Sequence, residues 1–407
     1  MQKPRKIVIV SQYYPPDGST TAAIMSALAA HLALEWPVLV LSGTLGSAST
    51  EKDPGRLDIV EIRNWMPAKA ALFRRAVADA AFTVRVFWAI LKNVRNGDIV
   101  LTVTAPFMSP YAVALAAKLK KAGSILIMHD LYPDVLVVAG LTKPDSLLAS
   151  AIRYANAMMF RAVNAIVIIG RDTERLLVRY GATTRDKTCF IPNWATLAPG
   201  VRPIMSDNPY RQLCKPHLVV GLSGNLGFTH DPLVVFEAAR LLRDDLDIHF
   251  LLSGWGIGFE QLKEMQSQDN LRNVTLVDRV EDKDLEEFLS AANIWLIPYR
   301  KDAAGVSVPS RFYNLLAVGR PVILVSEPDA EAALTVTEHR VGWIVAPGNA
   351  ADLAGTIRLA ALSEDTSRAE RASAIAGSFG SAEVMKSYSV LIQELFRKYP
   401  MKPGSHT

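Results

Sequence analysis

A chain of 407 residues, half of them hydrophobic and 21% charged, has enough apolar side chains for the cores of two or three domains, which excludes disorder as its main state. The formal net charge is only +4, from 44 basic and 40 acidic residues, so the charge gives no reason to expect nucleic acid as a partner. The two cysteines, Cys189 and Cys214, lack the spacing of metal ligands, and a chain this long does not need a disulfide, which fits a reducing cytoplasm.

The first residues, MQKPRKIVIVSQYYPPDG, contain an apolar run that is too short for a signal peptide. Elsewhere no segment has the roughly 20 uninterrupted apolar residues that a membrane-spanning helix needs. We therefore expect a cytoplasmic protein, with a peripheral position on the inner face of the cell membrane as a compatible variant.

Short β-branched runs alternate with longer helical segments along most of the chain. The first series is KIVIV, PVLVL, DIVLTV, SILIM and AIVII, and the second is HLVVGLS, IHFLLS, NVTLV, NIWLIP, PVILV and VGWIV. This alternation predicts an α/β protein with two Rossmann-like, doubly wound parallel sheets. Ligands of such sheets bind at the carboxyl ends of the strands, so two facing domains would enclose one cleft.

The predicted boundaries follow from a proline-rich, aperiodic stretch between the two series. We assign residues 1–195 to the first domain, 196–216 to a linker and 217–378 to the second domain. The amphipathic segment in residues 379–407 is predicted to be a helix that returns to the first domain.

The loop after the first predicted strand reads SQYYPPDGSTTAAIMSALAAHLA. Gly18, Ser19 and Thr20 precede an apolar pattern of helical spacing, so free backbone amides and two hydroxyls would face a phosphate or a sugar hydroxyl. The alternative is a helix cap alone, since serine and threonine favour that position.

Residues 65–95, WMPAKAALFRRAVADAAFTVRVFWAILKNVR, combine aromatic and basic side chains in an otherwise nearly neutral protein. Arg74, Arg75, Arg85 and Trp88 suit the headgroup layer of an anionic membrane. The alternative is an ordinary crossover helix packed on the sheet.

The segment ILIMHDLYPDVLVVAGL places His129 and Asp130 at the end of an apolar strand. A histidine at that edge can hydrogen-bond a sugar hydroxyl, while Asp130 or Asp134 could bind an acceptor or assist proton transfer. A structural polar network at the strand end would give the same pattern.

In the second series, VVGLSGNLGFTHDPLVVFEAARLL ends a strand with Ser223, Gly224, Asn225 and Gly227 before a helix. Small residues permit close approach of a phosphate, and a helix N-terminus favours negative charge, although a tight turn alone explains the glycines. The later stretch LLSGWGIGFEQLKEM lacks the full G-x-G-x-x-G fingerprint, so we interpret it as a turn that leaves space for a ligand and not as an NAD site.

The stretch VPSRFYNLLAVGRPVI begins a helix with polar residues and continues with residues suited to burial. The loop from Gly305 to Pro309 leads to Ser310, whose hydroxyl and neighbouring amides could meet a diphosphate. Arg311 could neutralise that diphosphate with forked hydrogen bonds. The alternative is a capped helix with a solvated arginine.

These segments together resemble glycosyltransferase family 4, whose two-domain architecture is called GT-B. The resemblance extends from YYPPDGSTTAAIMSALAAHL through HDLYPDVLVVAGL, FIPNWA and GNLGFTHDPLVVFEAA to VEDKDLEEFLSAANIWLIPY and PSRFYNLLAVGRPVI. It is strongest toward bacterial enzymes of exopolysaccharide, colanic-acid-like and O-antigen assembly.

The resemblance implies transfer of a hexosamine, deoxyhexosamine or hexose from a UDP- or GDP-linked donor, with retention of anomeric configuration. It also implies that no metal and no separate cofactor is required, that the C-terminal domain binds the donor, and that the N-terminal domain binds a lipid-linked saccharide acceptor. The positions carried over are Gly18, His129 and the diphosphate loop from Gly224. The acceptor hydroxyl is expected to attack from the leaving-group face, with the departing phosphate taking its proton and no side chain acting as nucleophile.

The sequence departs from the family at two places. Asn225 and His230 stand where many members have an arginine and a lysine for the diphosphate, which makes Arg311 the leading candidate for that charge. Val306 and Asn314 stand where many members have two glutamates, of which the second holds the ribose; Asn314 could do so with neutral hydrogen bonds. A nucleotide-sugar epimerase of the same architecture and a catalytically silent partner that only binds a nucleotide sugar remain as alternatives.

Overall fold

A computed structural model describes residues 4–49, 56–65, 72–214, 218–363, 365 and 367–398. Within these ranges the strands form two parallel sheets, one of seven strands in the order β3-β2-β1-β4-β5-β6-β7 and one of six in the order β10-β9-β8-β11-β12-β13. Helices lie between the strands in both domains, which confirms the predicted α/β fold with two doubly wound sheets.

The strands of the N-terminal sheet are β1 (Ile7–Ser11), β2 (Val38–Ser42), β3 (Leu57–Glu61), β4 (Ile99–Val103), β5 (Gly123–Met128), β6 (Ala165–Ile168) and β7 (Thr188–Phe190). Its helices are α1 (Thr20–Ala33), α2 (Leu72–Asn93), α3 (Ser109–Leu119), α4 (Asp134–Val138), α5 (Leu147–Ala162), α6 (Thr173–Leu177) and α7 (Ala182–Arg185).

The strands of the C-terminal sheet are β8 (Leu218–Asn225), β9 (Ile248–Trp255), β10 (Val274–Val277), β11 (Ile294–Pro298), β12 (Val322–Val325) and β13 (Gly342–Val345). Its helices are α8 (Pro232–Leu241), α9 (Ile257–Asp269), α10 (Leu285–Ala291), α11 (Arg311–Ala317), α12 (Glu331–His339), α13 (Ala350–Ala361) and α14 (Ser367–Ser378), and the last helix of the chain is α15 (Ser381–Lys398).

The central strands are apolar because helices cover both faces of each sheet. Every residue of β1, β2, β4 and β5 is buried, and so is every residue of β11 and β12. Strands β3 and β7 are not predicted from the sequence; they lie at the two edges of the N-terminal sheet and are partly exposed. An edge strand needs no continuous apolar run, so these two segments lack the signal that identifies the others.

Helix α15 packs on the N-terminal domain, although it follows the C-terminal domain in the chain. Its Tyr388 and Ile392 are buried in the same core cluster as residues of β1 and β4. Near its end, Arg5 Nη1 donates to the Phe396 carbonyl at 2.7 Å, and the Arg5 guanidinium lies 4.4 Å from the Phe396 ring centroid. The two ends of the chain thus meet on one domain.

The two domains contact each other through the loop that follows β11. The Leu131 amide donates to the Val306 carbonyl at 3.0 Å, next to an antiparallel bridge between Asp130 and Ser307. Gly305, at φ +78°, lies so close to the Asp172 backbone that a Cβ there would approach the Asp172 carbonyl oxygen to 2.8 Å. This loop therefore joins the carboxyl edges of both sheets.

Charged side chains reinforce this joint. Arg171 forms ion pairs of 3.0 Å with both Glu331 and Glu338 on α12. The Asp172 carboxylate accepts hydrogen bonds from the backbone amides of Gly305, at 2.6 Å, and Glu331, at 3.0 Å. The contact thus fixes the spacing of the two walls of the cleft.

Across the described ranges, no helix combines the length and the apolar character that crossing a membrane requires.

Candidate active site

A cleft of about 580 Å³ lies between the two domains, within the size range of small-molecule sites. The loops after β1, β5, β8 and β11 all contribute to its walls, as the strand-end rule predicts. The sequence-predicted residues along these walls are Gly18, Ser19, Thr20, His129, Asp130, Asn225, Gly227, His230, Pro309, Ser310 and Arg311.

Arg311, the first residue of α11, reaches back to the end of β8. Its two terminal nitrogens donate to the carbonyl oxygens of Ser223 and Asn225. Gly224 turns between them at φ +98°, and a Cβ there would lie 3.3 Å from the guanidinium carbon. Burial lowers the pKa of Arg311 to about 10, so the side chain remains a cation at neutral pH. Arg311 therefore both shapes the glycine loop and brings positive charge to it.

His230 does not supply the charge of the lysine that it replaces. Its ring is buried and packs against Tyr299 with the centroids 5.0 Å apart and the planes tilted by 31°. Burial and the nearby Arg311 and Arg300 guanidiniums hold the pKa of His230 well below its usual value, so the imidazole is neutral. Its Nε2 has no hydrogen-bond partner among the described residues and lies in a side chain that lines the cleft.

His129 and Asp130 leave the end of β5 together, and both backbone amides donate to the Thr104 hydroxyl at 3.1 Å. Burial lowers the pKa of His129 to about 4 and raises the pKa of Asp130 to about 6. The imidazole is neutral at pH 7, and its Nε2 is unpaired among the described residues. The pair thus offers one neutral hydrogen-bonding group and one carboxylate that titrates near neutrality.

The glycine loop of the N-terminal domain is held by its own side chains and by one arginine from the opposite domain. The Ser19 hydroxyl accepts from the Ala22 amide at 3.2 Å and is therefore the cap of α1, the alternative that the sequence left open. Arg279 Nη2 donates to the Gly18 carbonyl at 2.8 Å, while its guanidinium stacks on Trp255 at 4.5 Å. Arg279 thus spans the cleft.

Five of the predicted site residues have other contacts in this structure. Asp134 pairs with Arg179 at 2.9 Å, and Gly305 packs on Asp172 as described above. The Asn314 side-chain oxygen accepts from the Thr196 amide at 2.7 Å and the Leu197 amide at 3.3 Å, so Asn314 holds the interdomain linker instead of facing a ribose. Ser223 and Gly224 belong to the turn that Arg311 binds, and they lie behind the residues that line the cleft.

The cleft is also lined by residues that were not predicted from the sequence, among them Tyr13, Tyr132, Trp255, Arg279 and Tyr299. Trp255 is the last residue of β9 and Arg279 follows β10, while Tyr13, Tyr132 and Tyr299 follow β1, β5 and β11, so the strand-end rule applies to all five. The residue type of the tyrosines adds no signal, because tyrosine is found both in cores and at surfaces.

Helix α2 has one face buried against the sheet and one exposed face. Phe82, Val86 and Ile90 are fully buried against the sheet, whereas Val84 is 57% and Trp88 63% exposed. Arg74 and Arg85 are exposed on this helix, and Arg85 Nη1 donates to the Arg63 carbonyl at 2.9 Å. Arg75 is instead half-buried and interacts with the Tyr13 side chain beside the cleft, which corrects its placement on the outer surface.

Comparison with known proteins agrees with this architecture. Residues 218–361 match the family described as glycosyl transferases group 1. WbjE of Pseudomonas aeruginosa is 26% identical over 281 residues, which are 67% of this chain and 70% of that protein. WcaI of Escherichia coli (strain K12) is 25% identical over 321 residues, 77% of this chain and 78% of that protein. Both relatives are named as glycosyltransferases, and WcaI is named for colanic acid biosynthesis.

Among solved structures, Anabaena Alr3699/HepE in complex with UDP and glucose superposes with a TM-score of 0.68. The match covers 96% of this chain and 99% of that one at 16% identity, so it shows the GT-B fold alone. The two sheets and the cleft between them define the GT-B architecture. The family match of the C-terminal domain and the two relatives support a glycosyltransferase of the family 4 type.

Replacement of Arg311 tests the donor side of the site. Arg311→Ala removes both bonds to the β8 loop together with the local cation, so we expect UDP or GDP, whichever binds the wild type, to bind about 10- to 100-fold more weakly by titration calorimetry. Arg311→Lys should recover only part of this affinity, because an ammonium group cannot reproduce the planar fork. Arg358→Ala, which removes an exposed arginine paired with Asp245 in the same domain, is the matched control. Equal nucleotide affinity in the wild type and all variants would show that Arg311 does not contribute to nucleotide binding.

Proposed function

We propose that the protein is a retaining, metal-independent glycosyltransferase that moves a sugar from a nucleotide-diphosphate donor to a lipid-linked saccharide in the assembly of a cell-surface polysaccharide. The observation that carries the proposal is the position of Arg311 and the Gly224 turn opposite His129 and Asp130 in one cleft. The names of WcaI and of the UDP-bound structural neighbour support the polysaccharide product and the nucleotide donor.

The donor diphosphate would lie against the loop after β8. Asn225 and Gly227 line the cleft there, and Arg311 is the cation next to them. Backbone amides and a fixed guanidinium stabilise the charge that develops on a departing diphosphate without reorganisation of solvent. Since the His230 imidazole is neutral, it can donate a hydrogen bond to the diphosphate or to the sugar but adds no charge.

Asp130 would supply the carboxylate that Val306 does not. Val306 is 4% exposed, and its backbone is bonded to Leu131, so this position packs the domain joint. Asp130 bridges to Ser307, the next residue of that loop, and its side chain lines the cleft. A carboxylate in this place can stabilise positive charge on the donor ring as the glycosidic bond breaks.

In the proposed reaction the bond between the anomeric carbon and the β-phosphate oxygen breaks, and the acceptor oxygen forms a bond to the same carbon from the same face. The acceptor proton passes to the departing phosphate oxygen, so the products are the glycosylated acceptor and the nucleoside diphosphate. His129 Nε2 would hydrogen-bond a donor hydroxyl. The chain itself binds, orients and stabilises charge, and no covalent intermediate is required.

The outer face of α2 supports contact with an anionic membrane, where a lipid-linked acceptor resides. Exposed Val77, Val84 and Trp88 lie on the same helix as exposed Arg74 and Arg85. Leu115 and Leu119 of the neighbouring α3 are also more than half exposed. Apolar side chains among basic ones match the interface between headgroups and acyl chains.

The activity can be tested with purified protein, radiolabelled UDP- and GDP-sugars and a bacterial lipid extract. We expect one donor to transfer label into the lipid fraction, at a rate that EDTA leaves unchanged, with the product keeping the anomeric configuration of the donor by NMR. Binding of a nucleotide sugar without transfer to lipid would instead identify a silent partner. Conversion of the donor to its epimer would identify an epimerase, and loss of activity in EDTA would contradict metal independence.

The pH profile tests Asp130. If the ionised carboxylate is needed, kcat/KM falls as the pH drops through about 6, the pKa to which burial raises Asp130. We expect Asp130→Asn to lower kcat by about 10²- to 10³-fold and to abolish this acid limb. Asp145→Asn, at an exposed position of the same domain, serves as the control. An acid limb that persists in Asp130→Asn would assign the titration to another group.

Vesicle sedimentation tests the membrane face. Each reversal of a basic residue should remove about 1 kcal/mol or more of attraction to anionic lipid, so Arg74→Glu combined with Arg85→Glu should lower binding to phosphatidylglycerol vesicles more than about tenfold. Arg185→Glu combined with Arg272→Glu makes the same change of charge at exposed positions elsewhere and should have a smaller effect. If both double variants lose the same amount of vesicle binding, the effect comes from net charge alone. If neither loses vesicle binding, the outer face of α2 does not bind the membrane.

A further inference from the structure

A polar cluster lies beside the cleft where neither the diphosphate nor the donor sugar would use it. Arg75 and Asp79 are four residues apart on α2, so their side chains lie on one face of the helix. The Gln12 amide donates to the Asp79 carboxylate at 3.4 Å, and the Arg75 guanidinium interacts electrostatically with the Tyr13 side chain. The loop after β1 and the first turns of α2 therefore form one connected group.

Aromatic rings complete this group on the side of the cleft. Tyr13 and Tyr132 both line the cleft, and Tyr132 stacks on Phe107 with the centroids 5.0 Å apart and the planes at 27°. Burial raises the pKa values of Tyr13 and Tyr132, so both hydroxyls stay protonated and can donate hydrogen bonds. Phe107 fixes the orientation of the Tyr132 ring.

The cluster and the diphosphate loop belong to different domains. The cluster lies on the loop after β1, on α2 and after β5 in the N-terminal domain, whereas the loop after β8 lies in the C-terminal domain. Tyr13 and Tyr132 line the cleft from the first domain, and Arg311 lines it from the second. The cluster therefore belongs to the N-terminal wall of the cleft, the wall that is expected to bind the acceptor.

We propose that Tyr13, Arg75, Asp79 and Tyr132 form the subsite that binds the terminal sugar ring of the acceptor, with the buried Gln12 holding the Asp79 carboxylate. This inference rests on the proposed transferase function and deepens it. A carboxylate and a guanidinium can bind adjacent hydroxyls of a pyranose, and an aromatic ring can pack on its C–H face. The Asp79 carboxylate disfavours an anion, so a neutral sugar suits the cluster better than the acceptor's phosphate group.

The acceptor residues predicted from sequence have different positions in the structure. Ser19 and Thr20 line the cleft, and the Ser19 hydroxyl, which accepts from the Ala22 amide, can still donate a hydrogen bond. Asp134 pairs with Arg179 at 2.9 Å instead. Asp79 is half-buried beside Tyr13, which itself lines the cleft. The proposed acceptor subsite therefore extends from the beginning of α1 to the beginning of α2, the helix whose outer face is proposed to meet the membrane.

Binding can be measured without the natural acceptor. The probes are methyl glycosides of glucose, galactose, mannose, fucose and N-acetylglucosamine at millimolar concentration, observed by saturation-transfer NMR with saturating UDP or GDP. We expect the wild type to bind at least one of them and Asp79→Asn to bind it about tenfold more weakly, the effect of one charge-assisted hydrogen bond. Asp58→Asn, at an exposed position on β3, should bind like the wild type.

Tyr13→Phe removes one hydroxyl and keeps the ring. It therefore provides a second test of glycoside binding in case Asp79→Asn lowers the melting temperature of the protein. We expect it also to weaken the glycoside while leaving the nucleotide affinity unchanged. The inference is overturned if the wild type binds nucleotide but no glycoside, or if both variants bind the glycoside as the wild type does. Absence of nucleotide binding would instead contradict the proposed function itself.

Discussion

The pairing of two backbone segments across the domain boundary determines the geometry of the rest of the site. The end of β5 bonds to the loop after β11 through Leu131 and Val306, and the Asp130–Ser307 bridge lies next to it. Backbone hydrogen bonds tolerate little change in distance or angle. Because α11 begins four residues after Ser307, this pairing sets the position of Arg311 relative to Asp130, which would be the two charged groups closest to the reacting bond.

The same joint explains how the chain differs from relatives with a glutamate at the position of Val306. A buried carboxylate there would have to be desolvated within a domain contact, which costs several kcal/mol unless it is paired. The valine avoids that cost and packs the joint. Asp130 bridges to Ser307 across the joint and lines the cleft, so in the proposed reaction it would bring a carboxylate to the donor from the N-terminal domain.

Burial sets the charge of the cleft as much as composition does. It makes His129 and His230 neutral, brings the pKa of Asp130 to about 6 and leaves Arg311 charged with a pKa of about 10. Among the residues described along the cleft, the permanent cations are Arg279 and Arg311. Arg311 lies at the diphosphate loop, whereas Arg279 bonds to the opposite domain. Binding of a doubly charged diphosphate would therefore depend strongly on backbone amides as well as on Arg311.

The sequence by itself determined the two parallel sheets, because strands buried on both faces must be apolar along their whole length. It also indicated which loops form the cleft, since the ends of parallel strands meet at one edge of a sheet. The edge strands β3 and β7 left no such signal. Only the tertiary structure decided that Asn314 binds the linker, that Asp134 pairs with Arg179 and that Arg75 turns toward Tyr13. Each of these partners is distant in the sequence, so the pairing depends on how separate elements pack, which no local pattern of residues encodes.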